Sequence, residues 1–156
     1  MILSAQSIRR KCIWDKMIDP FVERCVHHAG MSYGLSSCGY DIRLMNRVVI
    51  KPSRFVLGSS LERFDIPIDI AMRVMDKSSW ARRGIFLQTT IAEPGWKGYL
   101  TLEISNNSDE IMDIAVGEPI CQVIFELLDE PTEAPYTGKY QNQGPYAYSW
   151  IKEKAE

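Results

Sequence analysis

The stretch Tyr99-Leu100-Thr101-Leu102-Glu103-Ile104-Ser105-Asn106 decides the fold class, because apolar and polar residues alternate along it. The even positions Leu100, Leu102 and Ile104 are apolar, and the odd positions Thr101, Glu103 and Ser105 are polar. A period of two predicts a strand with one face on the core. Glutamate is a poor strand former, so Glu103 in mid-strand needs an explanation. Either its carboxylate lies on a solvated outer face, or it lines a pocket as a general acid and base.

Similar segments on both sides of this strand predict an all-β fold. They are rich in β-branched, aromatic or alternating apolar residues, and turn-forming residues separate most of them. Many short strands at this spacing predict a β-barrel or sandwich, and we expect a distorted jelly roll. The other predicted strands are Tyr40–Leu44, Val48–Lys51, Phe55–Leu57, Ile70–Met75, Ile85–Thr89, Met112–Ala115 and Ile120–Leu127.

The remaining segments predict short helices, turns and loops. Ser4 is a candidate cap for a helix through about Lys11, with Ile8 and Cys12 on one face. Residues 26–38 are rich in small and polar types, which favours a loop. In Glu93-Pro94-Gly95-Trp96, proline and glycine stand where a type II turn requires them.

Composition limits the function classes. The 156 residues predict one domain, with residues 131–156 as a C-terminal tail that orders against something else. Eighteen Lys and Arg against twenty Asp and Glu give a charge of -2, which argues against a nucleic acid polymer as partner. The sequence has neither a membrane-spanning run nor an apolar N-terminal stretch typical of a secretory signal, and its four cysteines form no C-x-x-C pair. We therefore expect a cytoplasmic protein with free thiols.

Two segments outside the strands carry candidate binding groups. In residues 76–84, Ser78 or Ser79 is the expected cap of a single helical turn. With Lys77 and Arg82 nearby, such a helix start is suited to a phosphate, but it is equally consistent with a surface turn between strands. In the tail, Tyr136, Lys139 and Gln143 offer a stacking face, a charge and an amide that pairs with a base edge. The tail is then either a flap over a nucleotide or a flexible terminus.

Taken together and in order, five motifs resemble those of the dCTP deaminases. These enzymes belong to the dUTPase-like superfamily of trimeric jelly-roll nucleotide hydrolases. The likeness runs from Met1 to about Pro145, nearly the whole chain. The motifs are Gly39-Tyr40-Asp41-Ile42-Arg43-Leu44, Lys77-Ser78-Ser79-Trp80-Ala81-Arg82, Glu93-Pro94-Gly95-Trp96-Lys97-Gly98, Thr101-Leu102-Glu103 and Lys139-Tyr140-Gln141-Asn142-Gln143.

The resemblance implies catalytic roles for three residues. Glu103 matches the glutamate that shuttles protons between the attacking water and the cytosine ring. Ser78 and Arg82 match residues that organise the water and its surroundings. Deamination of cytosine in other enzymes uses zinc bound by H-x-E and P-C-x-x-C motifs, and this sequence contains neither. The reaction implied is hydrolysis of dCTP to dUTP and ammonia without zinc at the ring, feeding dUMP and dTTP synthesis.

The resemblance also implies a substrate-binding set. The family's residues near the triphosphate correspond here to Lys77, Ser78, Ser79, Arg82 and Gln122. Its residue on the ribose side corresponds to Glu93. Thr101 and Leu102 lie on the strand whose backbone contacts the pyrimidine, while Tyr136, Lys139 and Gln143 match tail residues that fold over the nucleotide. Mg²⁺ arrives with the triphosphate, and members are homotrimers with sites at subunit interfaces.

Two departures and three alternatives accompany this assignment. Glu93 stands where the family usually has aspartate, and the stretch from Gly84 to Glu93 is slightly shorter than in the common bacterial enzymes. A dUTPase is the nearest rival, but its glycine-rich C-terminal motif is absent from this sequence. A bifunctional dCTP deaminase/dUTPase would keep Glu103 and give dUMP and pyrophosphate. A catalytically silent nucleotide-binding module is the third alternative.

Overall fold

The computed structural model describes residues 1–26, 30–88 and 90–147. Within them the chain forms two helices, α1 (Ala5–Asp15) and α2 (Ser78–Ala81), and twelve strands. The strands are β1 (Ile18–Asp19), β2 (Cys25–Val26), β3 (Ser32–Leu35), β4 (Tyr40–Arg43), β5 (Val48–Ile50), β6 (Arg54–Asp65), β7 (Ile70–Asp76), β8 (Ile85–Leu87), β9 (Ile91–Ala92), β10 (Lys97–Asn106), β11 (Met112–Ile114) and β12 (Pro119–Leu127).

The strands form three antiparallel sheets around one apolar core. One sheet has the order β1-β6-β10-β8, a second has β2-β3-β4-β12-β7-β9, and β11 pairs with β5 in the third. Side chains from the two larger sheets, among them Tyr40, Phe64, Ile104 and Phe125, are fully buried in a common cluster. The sheets of the described residues do not close into a barrel, so the architecture is the open, jelly-roll-like form of the predicted all-β fold.

The strand β10 has the predicted alternation. Its even positions from Gly98 to Asn106 are buried, while Thr101 and Ser105 are half-buried and Glu103 is exposed. The turn before it is also confirmed, because Gly95 has φ +84 and the Trp96 amide donates to the Glu93 carbonyl at 3.0 Å. Glu103 therefore lies on the face of β10 that points away from the core.

The strand β6 spans Arg54–Asp65, whereas the sequence predicted only Phe55–Leu57. Its second half was not predicted because it contains buried polar residues. The Ser60 hydroxyl accepts from the Leu100 amide at 2.9 Å and donates to the Glu62 carbonyl at 2.7 Å. The Glu62 carboxylate is fully buried and pairs with the Arg43 guanidinium at 2.7 Å. Burial raises the pKa of Glu62, and the hydrogen bonds from Arg43 oppose that rise. A polar stretch whose partners are distant in sequence is not recognisable as a strand.

Two expectations for the N-terminal part are corrected. The helix α1 continues to Asp15, with Ile8 and Cys12 buried as predicted, but Ser4 makes no side-chain capping bond. Residues 26–38 are not all loop, since β3 pairs with β4 there. Gly34 hides this strand from prediction, yet its φ of +86 and an added Cβ lying 2.7 Å from the Val22 carbonyl oxygen make glycine necessary.

Four further observations complete the description. The predicted strand Ile85–Thr89 ends at Leu87, and Thr89 lies outside the described residues, as do the adjacent His27 and His28. The short strand β9 was not predicted.

All four cysteines are free. Among the described helices, neither has the length and apolar character required to traverse a lipid bilayer.

Candidate active site

A cavity of about 750 Å³ opens beside the polar face of β10. Its size suits a small organic ligand, and its lining is mostly apolar with a few polar groups, as in most ligand sites. The lining residues are Phe55, Leu57, Gln88, Thr90, Ile91, Ala92, Glu93, Trp96, Leu100, Thr101, Glu103, Ser105, Tyr136, Tyr140 and Gln143.

The ladder between β6 and β10 forms one wall of the cavity. In its register, Leu57 lies opposite Glu103 and Phe55 lies opposite Ser105. Residues directly opposite in an antiparallel pair point to the same face, so the Glu103 carboxylate stands beside an apolar neighbour. The structure therefore places Glu103 in the wall of a cavity.

The segment between β8 and β10 forms a second wall. The Gln88 amide donates to the Glu103 carbonyl at 3.0 Å, and the Gln88 side chain donates to the Ser105 hydroxyl at 3.3 Å. Beyond it, Thr90, Ile91 and Glu93 also line the cavity. Gln88 and the residues from Thr90 to Glu93 thus reach the face that carries Glu103.

The start of the C-terminal tail forms the third wall. The Tyr99 amide donates to the Gln143 carbonyl at 3.0 Å, and the Gln143 side chain donates to the Thr101 hydroxyl. The Trp96 indole donates to the Tyr140 carbonyl at 2.8 Å. These bonds hold the tail, up to Gln143, against its own chain. Among the predicted tail residues, Tyr136 and Gln143 line the cavity, whereas Lys139 is exposed and its ammonium lies 4.9 Å from the Tyr140 ring centroid.

A second group of predicted residues lies around α2, and none of its members lines the cavity. We call this group the α2 cluster; its members are Lys77, Ser78, Ser79, Arg82 and Gln122. Lys77 is the N-cap residue of α2, so the expectation that Ser78 or Ser79 caps this turn is wrong. Ser78, Ser79 and Arg82 are exposed.

Lys77 and Gln122 both neighbour Asp41, a residue of β4. The Lys77 ammonium lies 2.9 Å from the Asp41 carboxylate, and both side chains are less than 10% exposed, at 9% and 8%. Gln122 on β12 is paired with Asp41 in the ladder and donates to the Ser36 hydroxyl at 3.3 Å. The charge of Lys77 is therefore neutralised within the protein, which leaves Arg82 as the exposed cation among the predicted residues of the cluster.

The cavity and the α2 cluster differ in charge. Among the described residues that line the cavity, Glu93 and Glu103 are the charged ones, and both are acidic. The α2 cluster contains cations and hydroxyl groups instead. The cavity as formed by one chain is therefore suited to a neutral or weakly basic ring but not to a polyphosphate, whose oxygens need cationic or N–H donors.

Comparison with known proteins assigns the family. A model of the dCTP deaminase-like family matches residues 40–128. The chain belongs to the dCTP deaminase-like family. Of its curated relatives, the dCTP deaminase of Acidobacterium capsulatum is 38% identical, with 81% of this chain and 87% of that protein covered. The dCTP deaminase of Chloroflexus aggregans is 37% identical, over 91% of this chain and 94% of that protein.

Solved structures support the same fold for this dCTP deaminase-like chain. A 2'-deoxycytidine 5'-triphosphate deaminase from Agrobacterium tumefaciens gives a TM-score of 0.67 at 17% identity, over 81% of this chain. This chain spans about half (47%) of that longer one. A dUTPase of Staphylococcus bacteriophage 80alpha gives a TM-score of 0.55 at 16% identity, over 77% of this chain and 92% of that one. At these identities the likeness concerns the fold alone.

Within the dCTP deaminase-like fold, sequence reasoning missed most of the apolar lining. Five predicted residues line the cavity: Glu93, Thr101, Glu103, Tyr136 and Gln143. Leu102 is 2% exposed with its side chain in the core, so any contact to a base would use its backbone. Phe55 is 68% exposed, but single exposed apolar residues are common on protein surfaces, so its sequence position carried no distinguishing signal. Trp96 and Leu100 carried no signal that separates them from ordinary core residues.

The described residues contain no group of three His, Cys, Asp or Glu side chains arranged to hold a metal ion.

Proposed function

We propose that the protein hydrolyses dCTP to dUTP and ammonia, with Glu103 as the proton shuttle. The position of Glu103 supports the proposal. This residue lies in the middle of β10 and lines the cavity together with Thr101 and Gln143. A general acid and base must lie within hydrogen-bond reach of the atoms between which it moves a proton. The names of the curated relatives agree with this activity.

Each of the two steps moves one proton through Glu103, which first accepts it and then donates it. Glu103 takes a proton from water as the oxygen attacks C4 of the cytosine, and it delivers that proton to N3 of the ring. The carbon then carries both a hydroxyl and an amino group. Glu103 next accepts the hydroxyl proton and transfers it to the amino group, so that the C4–N bond breaks, ammonia leaves and the carbonyl of uracil forms. Glu103 ends in its starting state.

The remaining cavity residues bind and orient the base in this proposal. The Gln143 amide presents hydrogen-bonding groups to the edge of the pyrimidine, and the Thr101 hydroxyl fixes the amide through the bond between them. Glu93 faces the ribose, and Tyr136 covers the nucleoside. The tail from 131 onward closes the site, with residues after 147 outside the described structure.

The triphosphate requires groups that the cavity lacks, which is why we infer that the protein acts as a homotrimer with sites at subunit interfaces. A nucleoside triphosphate carries several negative charges, and the described cavity lining is acidic. The α2 cluster supplies Arg82, Ser78 and Ser79 at the surface, and Gln122 on β12 lies opposite Asp41, the partner of Lys77. Placing the cluster of one subunit against the cavity of the next completes the site, and Ser78 and Arg82 then help to organise the attacking water.

Mg²⁺ enters this proposal bound to the triphosphate oxygens, as part of the substrate. The proposed setting is the cytoplasm, where deoxynucleotide pools are made.

The test is a product assay with dCTP and Mg²⁺, with and without a chelator selective for zinc. We expect ammonia and dUTP in equal amounts, and no effect of the chelator. Formation of dUMP and pyrophosphate from dCTP would favour the bifunctional alternative. Turnover of dUTP but not dCTP would favour a dUTPase, and turnover of neither would favour a silent nucleotide-binding module.

A further inference from the structure

We propose that Gln141 is a positioning residue that latches the tail to the turn before β10 and so builds the third wall of the cavity before nucleotide binds. Its relevance to dCTP rests on the proposed function, but the latch itself does not. Gln141 does not line the cavity, and its own side chain contacts no residue of the predicted catalytic set.

The Gln141 carboxamide is fully used in hydrogen bonds between the turn and the tail. Its amide nitrogen donates to the Gly95 carbonyl and to the Tyr136 carbonyl, both at 2.9 Å. Its oxygen accepts from the Lys97 amide at 2.8 Å and from the Asn142 amide at 3.2 Å. One side chain thus satisfies backbone groups on both partners, a role that needs a donor and an acceptor at once.

Two glycines shape the surface onto which the tail docks. Gly95 and Gly98 have φ values of +84 and +143, which L side chains rarely adopt. An added Cβ on Gly98 would lie 2.7 Å from the Gln143 backbone nitrogen, and one on Gly95 would lie 2.7 Å from the Pro135 Cβ. The backbones approach so closely that the tail and the turn fit each other at both ends of the latch.

The docked tail places the groups that the site uses. Around Gln141, the Tyr136 amide donates to the Pro94 carbonyl at 2.8 Å and the Asn142 amide donates to the Lys97 carbonyl at 2.9 Å. Two residues beyond Gln141, Gln143 meets Thr101. Loss of the latch would let the tail leave the turn, and substrate would then bind only to the fraction of molecules in which the tail is docked. The apparent affinity falls in proportion, while the bound, docked complex reacts normally.

Gln141→Glu is the variant that tests the latch most directly. It keeps the shape of the side chain and one acceptor oxygen, but it replaces the donor nitrogen by an oxygen that faces the Gly95 and Tyr136 carbonyls. In nucleotide-free protein, we expect hydrogen exchange at the Tyr99, Tyr136 and Asn142 amides to speed up about tenfold or more, with the amides of β7 and β12 unchanged. Gln6→Glu, the same change at an exposed position of α1, is the control and should alter none of them.

Steady-state kinetics with dCTP provides the second measurement. For Gln141→Glu we expect KM to rise about tenfold or more with kcat within about threefold of the wild type. The KM of this variant relative to that of the wild type should fall from about pH 8 to about pH 5. The Gly95 and Tyr136 carbonyls favour the protonated form of the introduced glutamate, and its hydroxyl restores a donor. Gln141→Met, which has neither donor nor acceptor, should raise KM at every pH.

Unchanged exchange at the three amides overturns the latch, as does an unchanged KM or a loss of kcat at constant KM. If the wild-type protein does not turn over dCTP, the proposed function fails, and the exchange experiment still decides whether Gln141 holds the tail.

Discussion

The cavity beside β10 and the α2 cluster use their charged residues in opposite ways. Glu103 is exposed in the cavity, and its carboxylate forms no ion pair with any residue that the structure describes. Lys77 in the α2 cluster is instead buried and neutralised by Asp41 at 2.9 Å. The first residue is available to a ligand, and the second stabilises the protein. The same contrast occurs within one motif, because Lys77 is buried in an ion pair while its neighbours Ser78 and Arg82 are exposed.

Replacing Glu103 is expected to have the largest effect. Glu103→Gln should lower the deamination rate by about 10⁴-fold, since it removes the group that moves each proton. Nucleotide binding should persist, and the free energy of unfolding should change by less than about 0.5 kcal/mol because the side chain is exposed. Single-turnover ammonia release, dCTP binding and chemical denaturation measure the three quantities. A variant that deaminates at the wild-type rate would move the proton shuttle elsewhere.

Replacing Lys77 should affect stability instead. Lys77→Met leaves the buried Asp41 carboxylate without its partner, which should lower the free energy of unfolding by about 3–5 kcal/mol. The matched control is Lys97→Met, whose ammonium pairs with Asp65 at 3.0 Å but is 46% exposed, and which should cost about 1 kcal/mol or less. Urea denaturation of both variants measures the difference. Equal losses would show that burial does not distinguish the two ion pairs.

Replacing Arg82 should act on the triphosphate. Arg82→Ala is expected to lower kcat/KM for dCTP by about 10²-fold, and Arg82→Lys should recover part of it because lysine keeps the charge but not the planar fork. Arg83→Ala is the control, since the Arg83 guanidinium lies 4.9 Å from the Trp80 ring centroid. An equal loss in both arginine variants would mean that only the general positive charge of this surface matters.

The smallest effect is expected at Thr101. Thr101→Val removes the hydroxyl that accepts from Gln143 and should raise KM about tenfold with little change in stability. Thr101→Ser keeps the hydroxyl and should behave as the wild type. Steady-state kinetics on dCTP distinguishes the two, and equal KM values for both variants would remove the bond to Gln143 from the account.

Local patterns predicted the parts of the fold that depend on neighbouring residues. The alternation along β10 identified its buried face and the outward position of Glu103, and the Pro94-Gly95 pair identified the turn. The second half of β6 could not be predicted, because Ser60 and Glu62 find their partners on Leu100 and Arg43, which are far away in sequence. The same holds for β3, whose glycine is required by a contact with the chain near Val22.

In the candidate site, too, the sequence predicted some residues and missed those that depend on contacts between distant segments. The family motifs pointed to Glu103, Thr101 and Gln143, which the structure brings to one cavity. Motifs did not reveal that Lys77 is paired with Asp41, nor that Leu57 lies opposite Glu103, because both facts depend on contacts between distant segments. Gln141 escaped notice because its partners are backbone atoms, which have no sequence signature.

The central claim is that one subunit supplies Glu103 and another supplies Arg82. Its most direct test is the activity of mixed oligomers made by co-expressing Glu103→Gln with Arg82→Ala, which alone are expected to keep about 1% of the wild-type activity or less. The account predicts about a quarter of the wild-type activity, since one site in four pairs an intact Glu103 with an intact Arg82. Co-expressing Glu103→Gln with Glu103→Ala is the control and should restore nothing. Mixed oligomers no more active than their parents would contradict the shared site.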